Sequence, residues 1–238
     1  MRTFADTVER ALESASRLDR RPVMIRVRRA IRELLGRFDG QLLALETGTI
    51  RSYTEKHEST RHIAEALGDR GRLISVDLSA EAIRVSQDIC RHLHNIEWVE
   101  QDSVSYLSTL EGQRLHFALL DSVNDEDVIF EEFRQVVPRM VEGGIVMVDD
   151  AGIRSALRGI DHRSAAVKGR KVWRFLDSCN ADCDVVRTPR GHGTQLRVRL
   201  GGTNAVRIRE ALHIGNGTTA TVPFQLGDEP TGDAAPCT

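Results

Sequence analysis

The chain has 238 residues, of which 40% are apolar, and a formal net charge of −2. This length allows one sizeable core, in a domain of roughly 200 residues. The protein therefore lacks the net positive charge that attracts proteins to nucleic acid or anionic membranes. No apolar stretch approaches the ~20 residues that span a bilayer, and the first residues lack the apolar core of a secretory signal. We expect a cytoplasmic protein with a small-molecule substrate and no nucleic-acid or membrane partner, and homo-oligomerisation stays open.

Residues 1–40 are predicted to form a cap of two helices. Apolar residues recur at helical spacing in both helices, and Pro22 begins the second, where a missing N–H does least harm. From Gln41 onward, short apolar runs alternate with amphipathic ones. The predicted strands are Leu42–Leu45, Arg72–Val76, Ile96–Val99, His116–Leu120 and Gly144–Val148. The predicted helices are Ser59–Leu67, Ser79 to about His92, Val104–Leu110 and Asp125–Met140.

The pattern changes after Asp150. A helical region is predicted over roughly 154–178, followed by a hairpin of the strands Cys183–Arg187 and Gln195–Leu200. The sequence therefore predicts a doubly wound α/β domain over 41–200, with a mostly parallel seven-stranded, Rossmann-like sheet and a C-terminal antiparallel hairpin. The tail 201–238 is expected to be partly mobile, with a further strand open at Thr218–Phe224. The four cysteines lack metal-finger spacing and are expected to be reduced thiols.

Glycine and acidic residues follow the first two predicted strands, at the sheet edge where parallel sheets bind ligands. Glu46-Thr-Gly-Thr ends the first strand, and Gly48 allows close approach of the backbone to a ligand. Asp77 ends the second strand, where an acid can accept hydrogen bonds from both hydroxyls of a ribose. The N–H groups that begin the helix at Ser59 and Thr60 could hold a carboxylate. The ordered set favours an adenosine cofactor.

Two polar residues follow the third strand. Asp102 could accept a hydrogen bond from an adenine amino group, with Ser103 capping the next helix. A strand-end aspartate is also a common helix cap by itself. Both interpretations of Asp102 stay open.

At roughly 41–200 the sequence resembles the class I S-adenosylmethionine (SAM)-dependent methyltransferases. Glu46-Thr-Gly-Thr-Ile-Arg-Ser-Tyr, followed by Ser59-Thr-Arg-His-Ile-Ala, is similar to the first cofactor loop of metal-dependent small-molecule O-methyltransferases, including catechol-type and natural-product sugar enzymes. The resemblance implies that Ser59 approaches the methionine carboxylate, that Asp77 takes the ribose, and that Asp102 and Ser103 border the adenine. The implied cofactor site comprises Glu46, Gly48, Thr49, Ser59, Asp77, Leu78, Asp102, Ser103 and Asp121.

The loop also departs from the family pattern. It carries about five extra residues, 54–58, and keeps only one of the usual glycines. Within the insertion, Lys56 and His57 either face the substrate or belong to a solvated loop.

Three acids follow two adjacent predicted strands: Asp121, and the pair Asp149 and Asp150. Carboxylates brought together repel one another unless a cation lies among them, and Mg²⁺ prefers oxygen ligands. The spacing resembles the metal triad of those O-methyltransferases, which implies that these residues hold a divalent metal. Asp121 is also the candidate for the catalytic base. The other interpretation is that the pair caps a helix and meets water. The catechol-type lysine after the first aspartate is missing, and His162 and Lys168 are further candidates, each expected as an exposed helix residue.

The sequence therefore predicts metal-assisted O-methylation of a sugar or other natural-product metabolite, since a metal lowers the pKa of a bound hydroxyl. Acceptor recognition is expected in 1–40, 150–172 and the tail. One alternative is a nicotinamide-dependent oxidoreductase, because Gly48 and Asp77 also satisfy a relaxed dinucleotide pattern, although G-x-G-x-x-G is missing. A second is a degenerate methyltransferase fold that serves as a non-catalytic partner protein.

Overall fold

The computed structural model describes residues 23–53, 58–151, 168–187 and 194–217. In these ranges seven strands form one sheet in the order β3-β2-β1-β4-β5-β7-β6. The strands are β1 (Leu42–Thr47), β2 (Gly71–Asp77), β3 (Ile96–Glu100), β4 (Leu115–Leu120), β5 (Met140–Val148), β6 (Cys183–Arg187) and β7 (Thr194–Leu200). The helices are α1 (Val23–Leu35), α2 (Ser59–Leu67), α3 (Ala80–Ile89), α4 (Ser103–Thr109), α5 (Glu126–Val136), α6 (Arg170–Ser178) and α7 (Gly202–Gly217).

The first five strands are parallel, and β7 pairs antiparallel with both β5 and β6. This confirms the predicted fold class, including the C-terminal hairpin. In the register, Thr47 lies opposite Val76 on one side and Leu120 on the other. Leu120 in turn lies opposite Val148. The carboxyl ends of β2, β1, β4 and β5 therefore meet at one edge of the sheet, and this edge positions the site.

Apolar side chains cover both faces of the sheet, which explains why its strands are continuous apolar runs. In β4, Phe117 and Leu119 pack in one buried cluster with α1 and α2, whereas Ala118 and Leu120 belong to the cluster on the other face. α1 contributes Ile31 and Leu34, which confirms the amphipathic helix predicted after Pro22. α2 has the predicted bounds and ends at Gly68.

Two helix boundaries differ from the sequence predictions. The helix predicted over Asp125–Met140 ends at Val136, because Pro138 cannot continue it and lies in a 3₁₀ turn instead. β5 consequently begins at Met140, four residues before the predicted Gly144. α3 also ends at Ile89 rather than near His92.

α7 was not predicted. Ala205, Ile208 and Leu212 are spaced along one face of this helix and are buried in the main core. The predicted first helix, the start of the region 154–178, the hairpin turn and the strand at Thr218–Phe224 lie outside the described residues.

Among the described residues, Cys90 and Cys179 are free thiols. No described helix is long and apolar enough to cross a membrane.

Candidate active site

The turn after β1 brings three strand ends together. Gly48 has φ of +84°, and a Cβ at this position would lie 2.5 Å from the carbonyl oxygen of Asp121. Its N–H donates to the carbonyl of Val76 at 2.8 Å. Only glycine combines the left-handed backbone with such close approach to another strand. Gly48 therefore joins the ends of β1, β2 and β4 into one compact edge.

The carboxylate of Asp77 is held rigidly at the end of β2. Its Oδ2 accepts a hydrogen bond from the backbone N–H of Thr49 at 3.0 Å, and its Oδ1 accepts one from the N–H of Ser79 at 2.8 Å. Arg51 Nε lies 3.9 Å from Oδ2. Each carboxylate oxygen can accept a further hydrogen bond. The next residue, Leu78, is 73% exposed and offers an apolar surface beside this carboxylate.

Glu46 lies beneath this edge. Its side chain is fully buried, and the hydroxyls of Ser59 and Ser75 donate to its two oxygens. Burial raises the pKa of Glu46 to about 7, against the opposing effect of the surrounding hydroxyls. Glu46 therefore lies under the turn that follows β1, where it ties the first residue of α2 to β1 and β2.

Thr49 is also buried in this layer. Its hydroxyl donates to Ser86 Oγ at 2.7 Å and forms a hydrogen bond with Thr60 Oγ1 at 2.9 Å. The side chain of Thr49 thus fastens the loop to α2 and α3, and its N–H is the group directed at Asp77.

After β3, the structure shows the helix-cap interpretation of Asp102, and the expectation that Ser103 caps the helix is wrong. Asp102, not Ser103, caps α4: its Oδ1 accepts from the N–H of Ser105 at 2.8 Å. The hydroxyl of Ser103 instead donates to the buried carboxyl of Glu132. Ser103 cannot cap this helix because it is the first helical residue, whereas Asp102 has the extended backbone of a cap. Asp102 remains exposed at the sheet edge.

Glu132 was missed by the sequence analysis. Its other oxygen accepts from the hydroxyl of Thr47 at 2.9 Å, so one buried carboxyl links α5 to the end of β1 and the start of α4. Burial raises the pKa of Glu132 above its ordinary value. A signal was present, because Glu132 shares the apolar face of α5 with Ile129, Phe133 and Val136.

The three predicted acids lie together at the ends of β4 and β5, around the side chain of Lys168. Lys168 Nζ donates to Asp121 Oδ1 and lies 3.9 Å from Asp150 Oδ2. Burial, followed by the charges of Asp121 and Asp150, raises the pKa of Asp149 well above its ordinary value. Burial acts to lower the pKa of Lys168, but the carboxylates, Asp121 foremost, outweigh it and raise that pKa. The expectation that Lys168 is exposed was wrong, since the residue is 8% exposed.

The arrangement of these three acids can be compared with what a divalent metal site requires. Three carboxylates are a suitable donor set for a hard divalent cation. Here, however, an ammonium group lies among them, and no group of three acidic, histidine or cysteine side chains among the described residues is arranged to hold a metal ion. As arranged, Asp121, Asp149 and Asp150 do not fit a metal.

The comparisons with known proteins agree with this architecture. A family model described as a methyltransferase domain matches residues 57–151. The cofactor-bound structure of Rv0187 from MTB is 16% identical, with a TM-score of 0.60, and the match covers 82% of this chain and 90% of that one. The chain has the class I methyltransferase fold. No curated protein matches it significantly.

Two further solved structures share the methyltransferase fold. The O-methyltransferase TomG from Streptomyces achromogenes, in complex with SAM, is 20% identical with a TM-score of 0.55, over 85% of this chain and 92% of that one. An O-methyltransferase from Bacillus cereus, in complex with S-adenosylhomocysteine (SAH), is 16% identical with a TM-score of 0.53, over 82% and 90%. At these identities the likeness shows the fold, and it confirms the resemblance to class I methyltransferases.

The methyltransferase fold brings the predicted site residues to one edge of the sheet from the ends of five strands. Gly48, Thr49 and Asp77 meet directly, and Asp121 lies behind Gly48. Lys56, His57 and His162 lie outside the described residues, as does most of the predicted acceptor region.

Proposed function

We propose that this protein transfers the methyl group of SAM to a hydroxyl oxygen of a small molecule, such as a sugar or another natural-product metabolite. The observation that carries the proposal is the fixed carboxylate of Asp77, which lies at the end of β2 beside the glycine turn that ends β1. Two oxygens held at this edge suit the two neighbouring hydroxyls of a ribose.

The residues around Asp77 would complete an adenosine site. Leu78 offers an exposed apolar side chain for an adenine face, and Asp102 lies at the neighbouring strand end with its carboxylate exposed. On the other side, the first N–H groups of α2 would face a carboxylate, as helix N-termini favour anions. The side chains of Glu46 and Thr49 fix this frame from below.

When bound, SAM supplies a methyl group on a sulfonium that is already activated for transfer. The protein needs to align the acceptor oxygen with that group, to exclude water and to accept the hydroxyl proton. Asp121 is our candidate for the proton acceptor, because its side chain is partly exposed and it follows β4 directly beside Gly48.

The order and direction of the strands distinguish the proposed methyltransferase from the oxidoreductase alternative. Dinucleotide-binding sheets of the Rossmann type run in the order 3-2-1-4-5-6 with parallel strands. Here the antiparallel β7 lies next to β5, and β6 forms the edge. The arrangement favours a methyltransferase and gives no support to a nicotinamide site.

Calorimetric titration with SAH and with NAD tests the proposed cofactor. We expect the wild type to bind SAH and not NAD. Asp77→Asn should weaken SAH binding tenfold or more, since hydrogen bonds to charged groups contribute about 1.5–3 kcal/mol. Asp69→Asn, which alters an acid in the 3₁₀ turn after α2, is the matched control and should bind SAH like the wild type. Binding of NAD without SAH would refute the proposal.

The position of methylation needs a second measurement. Incubation with SAM carrying a ¹³C-labelled methyl group and a panel of polyhydroxylated acceptors should give a product whose methyl resonance is that of a methyl ether. An N-methyl resonance would keep the methyltransferase assignment and overturn the O-specificity. SAH binding with no transfer to any acceptor would favour the non-catalytic partner protein.

A further inference from the structure

Lys168 Nζ lies inside the acidic group at the ends of β4 and β5. It donates to Asp121 Oδ1 and lies 3.9 Å from Asp150 Oδ2, and the charge of Asp149 also acts on it. The Lys168 side chain is only 9% exposed. A positive charge that belongs to the chain itself is therefore fixed among three carboxyl groups.

The backbone beside Lys168 is packed directly against the end of β5. A Cβ on Gly169 would lie 2.9 Å from both Ala151 Cα and Val148 Cγ1. The N–H of Gly169 donates to the carbonyl oxygen of Asp150 at 3.2 Å. Because no side chain fits at 169, the chain can approach the acidic pair closely enough for the preceding lysine to enter the group.

The following residue fixes the same segment to α5. Arg170 forms two hydrogen bonds of 2.8 Å with the carboxylate of Glu126. The first turn of α6 is thus attached to the first turn of α5. The backbone next to Lys168 is therefore fixed against β5 through Gly169 and against α5 through Arg170. These contacts hold the Lys168 side chain beside the acidic group.

We propose that Lys168 is the resident cation of this group, and that its ammonium takes the place of the divalent metal implied by the resemblance. It acts as a positioning residue: it holds Asp121 and Asp150 together so that Asp121 can receive the acceptor hydroxyl. The inference rests on the proposed function only for this last role.

The charges explain why lysine and a metal exclude each other. The lysine ammonium is a compact charge with three donors and no acceptor, so it satisfies carboxylates but cannot ligate a cation. A divalent ion could enter only by displacing it. Without the lysine charge, three carboxylates would face one another and form an oxygen-rich site for a hard cation.

Binding of Mn²⁺, followed by electron paramagnetic resonance, tests the inference in the wild type, Lys168→Met and Lys171→Met. Methionine keeps an unbranched side chain of similar length and removes the charge. We expect no stoichiometric Mn²⁺ binding by the wild type at millimolar concentrations, and a gain in affinity of at least about tenfold in Lys168→Met. Lys171→Met is the matched control, because it removes the ion pair with Asp127 outside the group, and it should behave like the wild type.

Equal Mn²⁺ affinity of the wild type and Lys168→Met, whether high or absent, would overturn the inference. If Lys168→Met does not fold, the wild-type titration decides alone: one bound Mn²⁺ contradicts a resident lysine cation, and none supports it. SAH binding is measured on the same samples, and Lys171→Met should bind SAH like the wild type. Absence of SAH binding by the wild type itself would refute the proposed function and leave the metal result standing, so the two failures are distinguishable.

Discussion

Replacing Glu46 with glutamine measures the free energy of holding a negative charge under the turn that follows β1. The side chain is fully buried, and its pKa lies at about 7 instead of 4.5. Glutamine keeps the shape of the side chain and one acceptor oxygen, and its NH2 group can donate to the second of the two serine hydroxyls, but it carries no charge at any pH.

Proton linkage determines whether the free energy of unfolding rises or falls with pH. Below pH 4.5 the carboxyl group is protonated in both the folded and the unfolded chain, so it adds no pH dependence. As the pH rises toward about 7, the unfolded chain loses this proton while the folded protein keeps it, and the free energy of unfolding falls. At about 1.4 kcal/mol per pKa unit, the full penalty above the folded-state pKa is about 3 kcal/mol.

Urea unfolding without cofactor, followed by tryptophan fluorescence at about pH 5 and about pH 8, measures this penalty. The wild type and Glu46→Gln should have similar free energies of unfolding at the lower pH. At the higher pH, Glu46→Gln should be more stable by about 3 kcal/mol. Glu100→Gln changes an exposed glutamate at the end of β3 and should show no such gap. Parallel pH profiles for wild type and Glu46→Gln would refute the reasoning.

Gly48→Ala should lower the free energy of unfolding by about 2–5 kcal/mol, because left-handed backbone strain and overpacking against Asp121 add together. Gly112→Ala has a positive φ but open space around it, so it should lose only about 1–2 kcal/mol in the same urea experiment; equal losses would contradict the close approach. Asn95→Ala should cost about 1–3 kcal/mol, since its amide donates to the carbonyls of Ala64, Gly68 and Gly71. Asn95→Asp should be less stable still, because a carboxylate would face three acceptors; an Asp variant as stable as the wild type would show that these bonds contribute nothing.

The sheet could be predicted from the sequence because its strands are short, apolar and regularly separated by amphipathic helices. The carboxyl end of α2 followed from Gly68, and the pairing of β6 with β7 followed from the turn sequence Pro189-Arg-Gly-His-Gly between them. The helix over Asp125–Met140 was extended too far because its apolar periodicity continues past Pro138. α7 was missed because its many glycines and polar residues hid the spacing of Ala205, Ile208 and Leu212.

The candidate site was predicted in its strand-end residues and not in the side chains that support them. Asp77 and Gly48 could be located because parallel strands end at one edge. The position of Lys168 could not, since it depends on how the chain returns to β5 and on the close packing at Gly169, which no local pattern records. Glu132, in contrast, could have been predicted. A single acid on the apolar face of a helix indicates a buried carboxyl group, and the sequence analysis did not use this signal.

Adenosine is proposed to bind at the joined ends of β1 and β2, and a crystal structure of the protein with SAH would locate it. We expect both ribose hydroxyls within hydrogen-bond distance of the Asp77 carboxylate, with the adenine beside Leu78. SAH bound at another edge of the sheet, or a ribose with no contact to Asp77, would rule this site out.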